Sequence, residues 1–222
     1  MLCILQARLS SQRLPGKMLL DIKGQVLLKR VVDRIAKARN VSKIIVATSN
    51  EESDQRIQEF CLQEGINYYC GSLDDVADRF QKILAKERVQ SFVRICGDSP
   101  LIDPVLVDQG IDYFHDGQWD LVSNTLIRTF PKGQSVEVIR ADTFRRTYPL
   151  LTTNEQREHV TKVFYQNPQR FRILSFTSGL DLGRVNLCID TSDDVITIEK
   201  ILDRVHNKPA SWRELAEVYQ SL

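Results

Sequence analysis

Arg8, Arg13 and Lys17 stand in one short stretch, Ala7-Arg8-Leu9-Ser10-Ser11-Gln12-Arg13-Leu14-Pro15-Gly16-Lys17, which breaks off an apolar run. Two guanidinium groups offer planar forks of donors, and the ammonium adds a mobile point charge. Pro15-Gly16 is incompatible with a continuing helix, so the three cations belong to a loop able to wrap around a ligand. Main-chain N–H groups near Gly16 add contacts without steric bulk. Such a set suits a polyphosphate: it stabilises charge at a transferred phosphorus and on departing pyrophosphate. A solvated basic loop is the plainer alternative.

Two carboxylates carry the second signal. Asp98 lies in Cys96-Gly97-Asp98-Ser99-Pro100 and Asp190 in Cys188-Ile189-Asp190-Thr191-Ser192-Asp193-Asp194, each just beyond a predicted strand. If those strands are neighbours, their ends bring both carboxylates around one divalent ion. Mg²⁺ prefers hard oxygen ligands and keeps waters beside phosphates. Each residue alone reads first as a turn residue or helix cap, and it is their joint placement after strands that points to a metal; Asp193 and Asp194 suit the first turn of a helix. The chain has neither a Walker phosphate loop nor the tight glycine pattern of the usual dinucleotide fold, so a nucleotide would need a different loop.

Strand and helix patterns alternate around these residues. Segments 2–7, 43–48, 66–70 and 91–96 predict strands. Segments 26–38, 54–64, 73–86 and 104–114 predict helices, with Asn50, Ser53 and Ser72 as caps and Pro104 as a helix start. This order predicts an α/β fold with a mainly parallel central sheet and helices on both faces. The second half is less regular. Strands are expected at 119–122, 135–139, 171–176 and 186–189, and helices at 154–164, from Ser192, and after Ser211. With no repeat, tail or linker, residues 1–222 read as a single domain with a less regular region at about 124–180.

Lys and Arg total 30 against 29 Asp and Glu, a formal charge of +1. This balance argues against a nucleic-acid coat or membrane-attracted surface, while leaving room for a local cationic pocket. No apolar stretch approaches the roughly 20 residues a bilayer requires, and Arg8 and Arg13 interrupt any signal core, so a cytoplasmic protein is expected. The five cysteines are scattered without a Cys-x-x-Cys pair and read as buried structural thiols. His115 and His206 have no accompanying metal pattern.

Several motifs occur in a recognisable order: the N-terminal segment through Gly24, Gly71-Ser72 with Asp74-Asp75, Gly97-Asp98-Ser99-Pro100, Phe130-Pro131-x-Gly133 and Asp190-Thr191-x-Asp193-Asp194. Together they resemble the spore-coat polysaccharide cytidylyltransferases. More distantly they resemble the acylneuraminate and 3-deoxy-manno-octulosonate cytidylyltransferases. The resemblance spans nearly the whole chain. It implies a nucleotide-diphospho-sugar transferase type of fold (Rossmann-like), CTP as donor, Mg²⁺ as cofactor, a sugar acid as acceptor and pairing as a homodimer. It puts Arg8, Arg13 and Lys17 at the triphosphate, Asp98 and Asp190 at the metal, and Ala7, Gly71 and Ser72 near the cytosine or ribose.

One departure is Cys96, which stands where the sugar-acid enzymes often carry glutamine. The acceptor region implied by the resemblance includes Lys132, Gln134, Glu137, Arg157 and His159. Arg157 or Lys132 would receive an acceptor carboxylate, and Glu137 or His159 would orient its hydroxyl. The same residues also read as helix caps, an exposed salt network and a core-edge histidine. The implied reaction turns CTP and a sugar acid into a CMP-sugar and pyrophosphate. Transfer to a phosphosugar or polyol, or nucleotide binding without turnover, are the alternatives.

Overall fold

Short runs of branched and apolar residues form the strands at the centre of the molecule, as expected where both faces of a sheet are covered. A computed structural model describes residues 1–222. In chain order the elements are β1 (Leu2–Gln6), β2 (Asp21–Ile22), β3 (Gln25–Val26), α1 (Leu27–Ile35), β4 (Lys43–Ser49), α2 (Gln55–Gln63), β5 (Tyr68–Gly71), α3 (Val76–Glu87) and β6 (Ser91–Cys96). There follow α4 (Pro104–His115), β7 (Leu121–Ser123), β8 (Glu137–Arg140), α5 (Ala141–Thr147), α6 (Asn154–Glu158), α7 (Lys162–Gln166), β9 (Ile173–Ser175), α8 (Ser192–Arg204) and α9 (Trp212–Gln220).

Seven strands form one sheet in the order β5-β4-β1-β6-β8-β7-β9, and β2 with β3 makes a separate hairpin. The pairings β1–β4, β1–β6, β4–β5 and β7–β9 are parallel, whereas β8 is antiparallel to both β6 and β7. β8 alone therefore runs against the sheet. Its first residue, Glu137, pairs with Arg94 and Ser123 near the C-terminal ends of β6 and β7. The C-terminal ends of β1, β4 and β6 open on the same edge, where ligands collect in open α/β sheets.

Alternation along β1 supplies both faces. Cys3 and Leu5 enter one buried cluster with α1 and α4, and Leu2 and Ile4 enter the other with α3 and α5. On the second face Phe80, Phe92 and Phe144 meet at centroid distances of 5.5–6.2 Å, tying α3, β6 and α5 together. No helix is long and apolar enough to cross a membrane.

Several expected elements change. Asn186 to Ile189 is not a strand: Lys132 and Asn186 make only an isolated bridge. The expected helix at 154–164 breaks into α6 and α7 around His159. Neither Asn50 nor Ser53 caps α2; the short turn Glu52–Asp54 leads into it, and Asp54 bonds elsewhere. Ser72 caps a turn before α3, accepting from the Asp75 N–H at 3.1 Å, while Asp75 caps the helix itself by accepting from Asp78 at 2.7 Å. Cys3 and Cys61 are buried, but Cys70, Cys96 and Cys188 are only partly so.

Candidate active site

The basic loop is shaped by two internal anchors. The Gly16 N–H donates to the Leu9 carbonyl at 2.9 Å, closing the loop, and Gly16 sits at φ +76°, a left-handed conformation that favours glycine. A short helical turn, Lys17–Leu19, follows and carries Lys17 inward until it is buried. The second anchor is Asp54, fully buried, whose Oδ1 accepts the Leu9 N–H at 2.6 Å and whose Oδ2 accepts the Ser49 N–H at 3.3 Å. The loop that follows β1 is thereby fastened to the segment that follows β4.

Asp98 and Asp190 meet at Lys17. The ammonium lies 2.8 Å from Asp190 Oδ1 and 3.7 Å from Asp98 Oδ2, and donates to the Ile189 carbonyl at 2.7 Å. Arg13 Nη2 reaches the other Asp190 oxygen at 2.9 Å. The segment before Asp190 joins the site through loop bonds: the Ile189 N–H donates to the Asp98 carbonyl at 2.9 Å. Asp194 fixes Asp190 from behind, accepting its N–H at 2.9 Å while forming a capping box with Thr191 at the start of α8. Burial by itself would raise the Asp190 carboxyl, but Lys17 and Arg13 outweigh it and hold the group below the usual carboxylate range. Burial has the upper hand at Asp98, which is raised despite the pull of Lys17.

These residues line a cleft of about 520 Å³ at the C-terminal edge of the sheet. Ala7, Arg8, Arg13, Lys17, Asp98, Asp190 and His159 all face it, so the donor-side expectations and one acceptor-side expectation come together. Arg8 crosses the cleft to Glu158, with Nη2 2.5 Å from Oε1. That pair joins the N-terminal loop to the end of α6, and the break after α6 is what exposes His159 to the cleft.

Other expected residues lie elsewhere. Gln134 is fully buried and spends its amide on the Asp103 N–H at 2.9 Å and the Leu101 carbonyl at 2.7 Å, which makes it a scaffold residue. Lys132 is exposed, and its backbone bonds to Val185 and Leu187 rather than to anything in the cleft. Arg157 turns away to Asp75 at 2.5 Å and packs over the Tyr148 ring, so it fastens α6 to the start of α3. Gly71 ends β5 and Ser72 follows it, and neither lines the cleft. Glu137 is buried in an ion pair with Arg94 and accepts from the Tyr165 hydroxyl at 2.5 Å.

Arg94 is the main residue that sequence reading missed. It lines the cleft and donates through Nη2 to Gln6 Oε1 at 3.0 Å, coupling β6 to β1. A signal was present: a charged residue in the middle of Ser-Phe-Val-Arg-Ile-Cys, an otherwise buried strand of a parallel sheet, requires a partner or a ligand. The two aspartates converge on one ammonium, but there is no group of three or more His, Cys, Asp or Glu side chains arranged to hold a metal. The donor set fits an ion that draws its remaining ligands from phosphate and water, the usual habit of Mg²⁺.

The spore coat polysaccharide biosynthesis protein SpsF of Bacillus subtilis is 30% identical over 94% of this chain and 88% of its own length. The 3-deoxy-manno-octulosonate cytidylyltransferase of Geobacter sulfurreducens is 34% identical over 49% of this chain and 42% of its own length. A solved cytidylyltransferase from Leptospira borgpetersenii superposes with a TM-score of 0.94 at 26% identity, covering 99% of this chain and 94% of that one. The family described as cytidylyltransferase matches residues 2–220, and the chain belongs to that family of nucleotidyl-transferring enzymes.

Proposed function

We propose that the protein transfers a cytidylyl group from CTP to a sugar acid, releasing pyrophosphate and a CMP-sugar. The observation that carries this reading is the convergence of Arg8, Arg13 and Lys17 with Asp98 and Asp190 in one cleft of a cytidylyltransferase-family chain. An acceptor hydroxyl oxygen attacks the α-phosphorus and gives up its proton to water, the new O–P bond forms, the bond from the α-phosphorus to the oxygen bridging to the β-phosphate breaks, and pyrophosphate departs with that oxygen. No covalent enzyme intermediate is needed, because positioning and a fixed field suffice for such a displacement.

Each residue has a task that its surroundings support. Arg8 and Arg13 grip phosphate oxygens with their planar forks, exchanging Glu158 and Asp190 for the ligand. Lys17, held low in the cleft by the Ile189 carbonyl, meets charge developing on the departing pyrophosphate. His159 orients the acceptor hydroxyl. Asp98 and Asp190 would hold Mg²⁺, which when bound supplies charge neutralisation on the triphosphate. The name of the Bacillus relative supports a product destined for a surface polysaccharide.

One observation favours a second reading, transfer to an uncharged polyol. The Arg or Lys side chain that lines the cleft outside the triphosphate loop, Arg94, is already paired with Glu137. An acceptor carboxylate would have to displace a protein carboxylate. Turnover with CTP, Mg²⁺ and matched panels of sugar acids and polyols, read by pyrophosphate release and product mass, separates the two. A product of CMP plus a sugar acid supports the first reading; a product formed only with polyols replaces it with the second.

A further inference from the structure

The last residue of β1 carries an amide that one arginine orients. Gln6 lines the cleft and is half-buried. Its Oε1 accepts from both Nε and Nη2 of Arg94, at 3.3 and 3.0 Å. A guanidinium has only donors, so it fixes which end of the amide is oxygen and leaves the NH2 group pointing elsewhere. That NH2 group has no partner within the protein, and Gln6 borders the cleft, so its N–H donors are available to a molecule that enters.

Arg94 is itself held from behind. Its Nη1 donates to the buried Glu137, whose Oε1 accepts the Tyr165 hydroxyl at 2.5 Å. That hydroxyl lies 2.8 Å from Ser123 Oγ and 2.7 Å from Thr125 Oγ1. The row crosses the sheet from β1 through β6 and β8 to the end of β7, with Tyr165 reaching in from α7. Each member satisfies the next, and a connected polar row of this kind holds its terminal group in one orientation. The terminal group on the cleft side is the Gln6 amide.

Which ligand the amide meets follows from where it stands. Side chains alternate along β1, so Gln6 shares the face of Leu2 and Ile4. Those two pack in one cluster with Val160 and Phe164, and Val160 directly follows His159. Met18 and Ile189, the neighbours of Lys17 and Asp190, pack in the other cluster. Arg94 draws the amide toward β6 and β8, away from β4. Gln6 therefore offers its donors on the His159 side of β1. Its two N–H groups diverge, so each takes a single lone pair. This suits a hydroxyl or carbonyl oxygen, whereas a carboxylate is gripped best by the parallel donors of an arginine. We propose that Gln6 binds the acceptor by donating from Nε2 to one of its hydroxyl or carbonyl oxygens, with Arg94 and Glu137 as the positioning pair behind it. The assignment rests on nucleotidyl transfer in this cleft, and it adds an acceptor-selecting residue to that reading.

The test compares the full-length parent with Gln6→Met, Gln6→Glu and Arg94→Lys, with thermal melts to check folding. Calorimetry without acceptor gives CTP affinity. Pyrophosphate release gives acceptor KM and kcat, using the member of the sugar-acid and polyol panel that the parent turns over best. Gln6→Met should raise acceptor KM by about tenfold, the value of one hydrogen bond, with CTP affinity at the parental level. Gln6→Glu should raise it further, because its carboxylate still fills the Arg94 fork but turns an oxygen, and no donor, toward the substrate. A purely structural Gln6 predicts the reverse order, since glutamate satisfies Arg94 and methionine does not. Arg94→Lys removes the fork and frees the amide, so acceptor KM should rise with Gln6 still present; adding Gln6→Met to it should change little more. A parental acceptor KM in Gln6→Glu overturns the assignment. So does a loss of CTP affinity as large as the rise in acceptor KM, which would make Gln6 a nucleotide contact. Should Gln6→Met or Arg94→Lys fail to fold, Gln6→Glu decides alone by the same readout. A parent that releases no pyrophosphate with any panel member removes the transfer reading and this assignment with it, whereas an active parent with indifferent variants removes only the role of Gln6.

Discussion

The two sides of the cleft are built differently. The donor side comes from β1, β4 and β6, adjacent parallel strands whose C-terminal loops deliver Arg8, Lys17 and Asp98 from a regular scaffold. The opposite side is formed by Glu158 and His159 at the end of α6, with α7 and β8 nearby as further short elements, and the region is fastened by polar contacts far apart in sequence: Arg8 to Glu158, Arg157 to Asp75 and Tyr165 to Glu137. A rigid sheet edge suits a ligand whose charge and geometry do not vary. A wall of short helices held by side chains can be refitted to different acceptors without disturbing the strands. Substitutions should therefore divide, with donor-side changes striking CTP use and acceptor-side changes striking acceptor use.

The largest effect is expected from Lys17→Met, which leaves Asp98 and Asp190 facing one another without the ammonium between them. Turnover should fall by about a hundredfold to a thousandfold, as when a preorganised group at developing charge is removed. Steady-state kinetics alongside thermal melts checks this; a folded variant retaining parental turnover would contradict the role given to Lys17. Asp98→Asn and Asp190→Asn come next. Each should lower turnover by about tenfold to a hundredfold and raise the Mg²⁺ concentration needed for half-maximal rate, because a charged oxygen ligand is lost. A Mg²⁺ titration identical to the parent's in both would remove the metal assignment.

Tyr165→Phe probes the other wall. It takes a donor from the buried Glu137 carboxylate and should cost about 1–3 kcal/mol of stability, since a buried acceptor loses a partner. Chemical denaturation should register that loss, and acceptor KM should rise while CTP affinity holds. Comparable damage to CTP affinity would erase the division between the walls. The smallest effect belongs to Glu158→Gln. The Arg8–Glu158 pair is 36% exposed on each side chain and adds little to stability, about 0–1 kcal/mol. Freeing Arg8 should tighten CTP binding a few-fold, which calorimetry without acceptor would detect; weaker binding would show that Glu158 supports Arg8 rather than competing for it.

The same division governed what could be read from sequence. On the donor side the signals are local. Six residues, Ser91–Cys96, announce a buried strand by composition, and Pro15-Gly16 announces the turn that curls the basic loop. The wrong cap at Ser72 arose because Ser72 and Asp75 stand three residues apart and both accept N–H bonds, so either could have begun α3. On the acceptor side local signals mislead. Residues 154–164 carry a helical pattern, but burial of Val160, Val163 and Phe164 in one cluster with exposure of His159 at the cleft is met by two short helices instead of one. Gln134 and Arg157 looked available for an acceptor because nothing in their neighbourhood reveals that Asp103 and Asp75 will claim them. The Asn186 to Ile189 segment has strand-like residues, yet its partners are loop groups of Lys132 and Asp98.

The central claim is cytidylyl transfer in this cleft, and the most direct test follows the α-phosphate. Protein, Mg²⁺, a sugar-acid panel and CTP labelled at the α-phosphorus are incubated, and label and pyrophosphate are counted together. The account predicts that label moves into a product of CMP joined to one acceptor, with one pyrophosphate released per product, and that Lys17→Met slows both by about a hundredfold to a thousandfold. Label that stays in CTP with every acceptor, or that leaves as free CMP regardless of the acceptor supplied, would contradict it.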